Sequence, residues 1–561
     1  MSESEKGIST ALSSELQPEP DVTVDIDRGD NGNSNYDPLD MSNYHLNQLP
    51  KKVASKFEKL MAKIGGPLAL VAFIIINYLI NIPFLKNIDI SILDKKAQAL
   101  FNEIGPLAFE GKTVAMLAVF VASLILWITE AVPNYLTSLM LIIGLVLTGV
   151  ISEVDAYHQL GHPVMWLNIL SFVLASMLVK TGVAKRFALW FIVKFGKNAA
   201  SIFLSFIVIN LVLSAFISAT TAKAAILLPI FMVVGAIYGA TGGKNKTNFG
   251  RNIVLQNLFQ INIGASAFVT GSGANLLAVA IIAGAMGTKI FYTDWLIIGF
   301  PISVFLMIIG WIVGTKFIFP LKPEEKKPQI KGGMQRLKDE LQKMGPMSTN
   351  EIKSIIIFVA VLALWSTDRL HGISATAVAF LGAIVALTPH IGVVQWNEVD
   401  IPWHLLLFSA GAYTLGLGLQ VTNLSEIMVD AVFNKLGFDQ NTPFWVLYVT
   451  LTFAMLYSAI IFQSKTMRAL IFVPIAIGVA NKFGYPIMSL ALPVALLIEH
   501  VYVLPFNSKP AALLYVTDQY SWSDTFKFGI IMMTIAWILS LVLAMTYYKF
   551  MGITPMGLGL F

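Results

Sequence analysis

The sequence predicts an all-α polytopic membrane protein, with about 11 transmembrane helices and two re-entrant hairpins arranged in inverted repeats. Two observations predict the membrane fold: 56% of the 561 residues are hydrophobic and only 13% are charged, and the mean hydropathy is +0.72. Soluble domains carry roughly twice that charged fraction. A third observation, a duplicated polar interruption of the apolar segments, predicts the repeats and the hairpins.

The polar segments divide the chain into regions. Residues 1–65 are acidic and polar up to Asp40 and basic afterwards, which predicts a disordered cytoplasmic tail. Residues 319–351 are rich in lysine and predict a cytoplasmic connector between a first repeat at 66–318 and a second at 352–561. We therefore expect a multi-pass cell-membrane protein with a cytoplasmic N-terminus. The absence of cysteine excludes disulfides and thiolate chemistry.

Two segments match each other in register. One reads TAKAAILLPI from Thr221 and the other reads TMRALIFVPI from Thr466. The first lies in a predicted inner hairpin at 200–239 and the second in a predicted outer hairpin at 443–481. Non-helical backbone is tolerated at membrane depth only where it is buried in protein or lines a wet cavity. Matching interruptions in two halves therefore predict a transport site.

Two further interruptions fall in predicted broken helices at 253–288 and 487–517. A helix N-terminus exposes unpaired N–H groups and favours anions, and nearby hydroxyls and cations add to this. The candidate substrate-binding residues are Thr220, Thr221, Lys223, Ser272, Asn275, Ser464, Lys465, Thr466, Asn507, Ser508 and Lys509. Arg468 receives an electrostatic or a structural role, as a clamp on its own hairpin. The alternative is that these cations reach an interface or pair with Glu130 or Glu499.

The residues at the interruptions resemble the divalent anion/sodium symporter family of di- and tricarboxylate transporters, over about residues 110–548. Segments 219–223 and 464–468 stand where the family has its Ser-Asn-Thr motifs. Segments 271–275 and 507–511 are similar to its Gly-Thr-Pro-Pro-Asn motif. Segments 127–133 and 180–182 are similar to first-half landmarks of the family.

The resemblance implies secondary transport of a small divalent organic anion, such as malate, succinate or 2-oxoglutarate. It further implies elevator-type alternating access, a homodimer in the lipid bilayer, and no nucleic-acid partner. Thr220 and Lys465 replace the asparagines of the two motifs. A fixed ammonium can take the electrostatic role of a bound Na⁺, so we expect no cofactor, doubt the sodium sites, and predict exchange or coupling to a proton carried by a lysine.

Other functions are less consistent with these sequence features. Sulfate or another inorganic anion is an alternative substrate, and an anion channel is an alternative activity. An enzyme is not expected, because the interruptions hold Ser, Thr, Asn and Lys rather than a catalytic acid, base or metal cluster. His158 and His162 stand four apart, which is the one ligand-like spacing among the histidines, and we do not expect a metal site. The adjacent Glu499 and His500 form either a structural pair or a proton relay.

Overall fold

The computed structural model describes residues 37–44, 56–243, 246–435, 437, 442–462 and 464–559. The chain divides into two units, Met1–Pro38 and Leu39–Phe561, and all the described helices lie in the second. Within the described residues the backbone forms α-helices, short 3₁₀ and π turns, and no strand.

The α-helices follow one another with short connections. They are α1 (Lys56–Ile74), α2 (Lys95–Ile104), α3 (Pro106–Thr129), α4 (Asn134–Leu147), α5 (Glu153–His158), α6 (Pro163–Lys180), α7 (Val183–Phe195), α8 (Ala199–Phe216), α9 (Thr220–Ile237), α10 (Asn248–Ser266), α11 (Gly273–Met286), α12 (Tyr292–Val313), α13 (Gly333–Lys343), α14 (Thr349–Ser366), α15 (Asp368–His371), α16 (Ala375–Leu387), α17 (Trp403–Thr422), α18 (Leu424–Lys435), α19 (Phe444–Tyr457), α20 (Lys465–Lys482), α21 (Ile487–Leu496), α22 (Lys509–Tyr515), α23 (Trp522–Met545) and α24 (Tyr547–Phe550).

The predicted fold class is confirmed. Eight helical segments of the described chain are long and apolar enough to cross a membrane, and they contain α1, α3, α6, α9, α12, α14, α17 and α23. The shorter apolar helices include α8, α11, α19 and α21, which are the arms beside the interruptions. Polar N-caps start many of these helices; for example, the side chain of Ser348 accepts a hydrogen bond from Glu351 N at 3.2 Å.

The predicted tail is shorter than residues 1–65. A 3₁₀ helix at Met41–Tyr44 packs against α9, and both Met41 and Tyr44 are buried. These two apolar side chains are exceptions in a polar segment, and their burial orders it. The first membrane helix also begins earlier than predicted, at Lys56. Residues 1–36 and 45–55 lie outside the described residues.

A layer of early helices from both predicted repeats forms a continuous packing surface. Helix α17 packs against α4, α16 against α6, and α1 against α3. At Gly411 of α17, a Cβ atom would lie 2.4 Å from Ser138 Cβ, and at Gly418 it would lie 2.7 Å from Met116 Sδ. Only glycine permits this approach, so these glycines serve helix packing.

The two hairpin return arms pack across the predicted repeats. Helix α9 contacts α10 and α22, and α20 contacts α21 and α11. The interruptions between α8 and α9 (217–219) and between α10 and α11 (267–272) fall where the sequence predicts them. The last one lies within the predicted broken helix 487–517 and is long. Helix α21 ends at Leu496, and the backbone stays non-helical from 497 to 508. A buried arginine, described below, binds three of its carbonyl groups.

The predicted connector is attached to the first repeat. The side chain of Arg186 forms an ion pair with Glu351 and donates to the carbonyls of Met344 (2.9 Å) and Gly345 (2.8 Å). These contacts join the first turn of α7 to the end of α13 and the start of α14. The side of the membrane on which they lie stays a prediction.

Candidate functional site

The four interruptions converge on one hydrogen-bonded network. The ammonium of Lys465, at the start of α20, lies 2.5 Å from Glu499 Oε2 and 3.5 Å from Thr220 Oγ1 at the start of α9. The hydroxyl of Ser272, the N-cap of α11, donates to the other oxygen of Glu499. We call Thr220, Lys465, Glu499 and Ser272 the central polar network. Each residue comes from a different interruption, although up to 279 positions separate them along the chain.

The network combines strong burial with one accessible cation. Glu499, Ser272 and Thr220 are buried, whereas the side chain of Lys465 keeps 17% of its surface exposed. Three helices, α9, α11 and α20, begin at the network, so the partial positive charge of three N-termini is directed at it. The partly exposed side chain of Lys465 and the three helix ends together form a surface suited to an anion.

Lys223 lies behind the network and is completely buried. Its ammonium donates to Ser214 Oγ at 2.8 Å and to the carbonyl of Ile261 at 3.2 Å. Lys465 and Glu499 both act on it electrostatically. Lys223 is therefore held behind the site by neutral groups.

Arg468 is also completely buried and holds backbone rather than an acid. Its guanidinium donates to Ser458 Oγ at 2.9 Å, to the carbonyl of Met455 at 2.5 Å, and to the carbonyl of Ile498 at 3.0 Å. Weaker bonds reach the carbonyls of Leu456, Leu497 and His500. The side chain joins the second hairpin to the interruption at 497–508 and satisfies its carbonyl groups. It also acts on Glu499 electrostatically.

The hydroxyls predicted at the hairpin tips lie beside the network with free hydrogen-bonding capacity. Thr221 and Thr466 are half-buried, and within the described chain neither hydroxyl forms a hydrogen bond. Ser464 is half-buried and caps α20 by accepting from Met467 N at 3.3 Å. The two threonines are thus available for a ligand.

The amide and serine candidates mostly bind backbone. Asn275 is buried and donates to the carbonyls of Ala265 (2.9 Å) and Phe268 (3.1 Å), while its Oδ1 has no partner. Asn507 donates to the carbonyl of Ala459 at 2.5 Å. Ser508 caps α22. These residues shape the interruptions around the network.

Unlike the other candidate cations, Lys509 is exposed. It acts electrostatically on His404 at the start of α17, and no ion pair of the described residues includes it. The structure therefore brings together Lys223, Lys465 and Arg468, and leaves Lys509 at the surface.

Sequence reasoning treated Glu499 as an alternative partner for a cation and not as a site residue. The structure pairs it with Lys465 and not with the adjacent His500, whose Nδ1 is 2.7 Å from the hydroxyl of Tyr502. Glu130, the other acid considered, is exposed. The sequence did contain a signal for Glu499. This acid lies inside an apolar segment, and a charged group is costly at membrane depth unless it is paired.

A cavity between three helices does not contain the predicted site. It has a volume of about 170 Å³ and lies between α17 on one side and α11 and α20 on the other, lined in part by Tyr413, Ile281 and Ile477. None of the candidate site residues lines it.

Within the described residues, no group of three metal-ligating side chains is present.

Comparison with known proteins gives a family match over most of the chain. Residues 105–554 match the family described as "Sodium:sulfate symporter transmembrane region".

Three individual relatives share between 25% and 28% of their aligned residues with the chain. The chain is 25% identical to the "Sodium-dependent dicarboxylate transporter SdcS" of Staphylococcus saprophyticus, over 74% of this chain and 83% of that protein. It is 28% identical to the "Dicarboxylate transporter 1, chloroplastic" of Spinacia oleracea, over 66% of this chain and 65% of that protein. It is also 28% identical to the "Putative malate transporter YflS" of Bacillus subtilis, over 52% of this chain and 60% of that protein.

Proposed function

Because this chain belongs to the family described as the sodium:sulfate symporter transmembrane region, we propose that it is a secondary active transporter of small divalent organic anions. It is a transporter and not an enzyme. Malate, succinate and 2-oxoglutarate are the leading substrates, since the relatives are named as dicarboxylate and malate transporters. Sulfate is the second candidate, because the family description names it.

The observation that carries the proposal is the central polar network. It gathers one residue from each of four interrupted helices, and three helix N-termini begin there. An anion bound at the exposed part of Lys465 would meet this ammonium, the free hydroxyls of Thr221 and Thr466, and the positive ends of three helix dipoles. The two carboxylates of a dicarboxylate would each find donors from one hairpin tip.

We propose that transport does not require sodium. Lys465 occupies the motif position at which the resembled family has asparagine, and its ammonium supplies the positive charge that a bound Na⁺ would give. Lys465 forms an ion pair with Glu499, and we propose anion exchange rather than a mechanism in which this lysine carries the proton. Two buried oxygen atoms of the first half, Ser218 Oγ and Asn275 Oδ1, have no hydrogen-bond partner among the described residues. Such oxygens are the kind of group that could bind Na⁺. A sodium titration of transport is therefore the decisive control.

We further propose elevator-type alternating access in a homodimer, as the family resemblance implies. The hairpins and broken helices would move together, because α9 and α20 each pack against broken helices of both repeats. The layer built on α4 and α17 would stay fixed. The incompletely filled space between α17 and the pair α11 and α20 supports a moving boundary there.

Uptake of labelled succinate into proteoliposomes tests this function. We expect uptake to be stimulated by unlabelled dicarboxylate inside the vesicles and to be unchanged when an inward Na⁺ gradient is removed. A strict Na⁺ requirement would reject the role of Lys465. Stimulation by a proton gradient without internal anion would reject exchange. Uptake of sulfate but not succinate would establish the second candidate, and a large unitary current would establish a channel.

A further inference from the structure

Glu499 places a fixed negative charge inside a site proposed to bind anions. The carboxylate is completely buried, lies 2.5 Å from Lys465 Nζ, and is held on its other oxygen by Ser272. A carboxylate in this place weakens the attraction of the site for every anion. Its presence therefore calls for a reason other than anion affinity.

The charges around Glu499 suggest that reason. Lys465 is in direct contact with it, and Arg468 binds the carbonyls of Ile498 and His500 on either side of it. Lys223 and Arg468 are completely buried and, within the described chain, hydrogen-bond to carbonyls and hydroxyls and not to acids. Glu499 therefore offsets the charge of Lys465 in the empty site. Uncompensated charge is costly at membrane depth.

We infer that Glu499 is a specificity-determining residue that favours dianions over trianions, by offsetting the charge of Lys465 and repelling an additional carboxylate. This inference rests on the proposed function. The third negative charge of a trianion meets the repulsion of the buried Glu499 carboxylate, and a dianion has no such third charge.

The geometry lets Glu499 act without blocking the substrate. An ammonium has three donors, and the neighbours of Lys465 in the described residues, Glu499 and Thr220, use two of them. The third remains for a ligand on the exposed side of the lysine. Ser272 holds Oε1, which keeps Oε2 directed at the ammonium. Substrate therefore binds beside the ion pair and does not need to break it.

The test compares two ligands that differ by one carboxylate. Glutarate is a dianion, and propane-1,2,3-tricarboxylate is glutarate with a third carboxylate on its central carbon. 3-Methylglutarate, a dianion with a similar branch, controls for bulk. Dissociation constants are measured from thermal stabilisation of the purified protein, at a pH where every carboxyl group of the ligands is ionised. The measured quantity is the ratio of the tricarboxylate constant to the glutarate constant.

We expect Glu499→Gln to shift this ratio at least tenfold toward the tricarboxylate, which corresponds to about 1.4 kcal/mol. Glu499→Asp should keep the wild-type ratio, because it keeps the charge. Glu130→Gln, the same change at an exposed acid, should also keep it. An unchanged ratio in folded Glu499→Gln would overturn the inference.

A second variant removes the dependence on one substitution. Lys465→Met removes a positive charge from the site. Even if both ligands bind more weakly, the ratio of the two dissociation constants should therefore shift in the opposite direction, toward the dianion glutarate. If Glu499→Gln does not fold, a ratio unchanged in Lys465→Met overturns the inference. Failure of wild-type protein to bind any dicarboxylate would reject the proposed function itself, and the inference with it.

Discussion

The two hairpins place a cation at the same position and use it differently. Lys223 and Arg468 are each the fourth residue of a return arm. Each donates to a serine on the first arm of its own hairpin, Ser214 or Ser458, and to a carbonyl of the adjacent broken helix. The correspondence in sequence is therefore also a correspondence in contacts.

The difference lies in how each half satisfies its open backbone. In the first half the side chain of Asn275 binds the carbonyls of Ala265 and Phe268, which leaves Lys223 with one carbonyl. In the second half Arg468 binds three carbonyls of the longer interruption and two of the first hairpin arm, while its Nε–H donates to Ser458. Asn507 of this half binds the hairpin carbonyl of Ala459 instead. The comparison teaches that a lysine suffices where an asparagine binds the carbonyls of its own interruption, and that an arginine takes this role where the asparagine binds the hairpin.

The largest effect should come from removing the arginine. Arg468→Met leaves several buried carbonyls without donors, each costing about 1–3 kcal/mol, so we expect a loss of about 4 kcal/mol or failure to fold. Lys223→Met should change stability by no more than about 1 kcal/mol, since it removes a buried charge that no acid pairs, while transport falls. Thermal unfolding in detergent compares the two variants. Equal destabilisation would show that the two cations are equivalent.

The next effect isolates the ion pair of the second half. Lys465→Met leaves Glu499 buried and unpaired, and we expect a loss of about 3 kcal/mol. Adding Glu499→Gln should recover most of that stability but not succinate uptake. A double-mutant cycle from unfolding midpoints measures the coupling. Additive losses would mean that the pair does not stabilise the network.

A smaller effect should appear at both tips equally. Thr221→Ala and Thr466→Ala each remove one free hydroxyl beside the network, so we expect uptake to fall about tenfold with normal folding. Thr367→Ala, at an exposed threonine that bonds within its own helix, is the matched control. Wild-type uptake in both tip variants would place the anion elsewhere, and loss in only one would break the symmetry of the site.

The smallest effect should come from the cation outside the network. Lys509 is exposed, and screening by water weakens its field. Lys509→Ala should lower succinate uptake by no more than about threefold, far less than Lys465→Ala. A comparable loss in both would return Lys509 to the binding site in which the sequence placed it.

The sequence predicted the helical membrane fold, and its duplicated segments located Thr220 and Lys465, because helix interruptions and their spacing are local features. The partner of Lys465 was harder to find. Glu499 stands next to His500 in sequence but meets a lysine 34 positions away, and only the packing of α20 on α21 shows this. The length of the interruption after Leu496 could not be read from the sequence either, since Arg468 satisfies its carbonyls from another helix. The exposure of Lys509 depends in the same way on tertiary packing.

The bonds of Arg468 also bear on how the site opens. Met455 lies on one arm of the second hairpin and Ile498 in the interruption beside it, and one guanidinium holds both. This tip cannot swing out as a gate without breaking those bonds in every cycle. In the first hairpin, Lys223 holds the adjacent broken helix by one bond, to the carbonyl of Ile261, since its bond to Ser214 stays within the hairpin. We therefore expect any local gating motion to occur at the first tip, while the second tip stays in place.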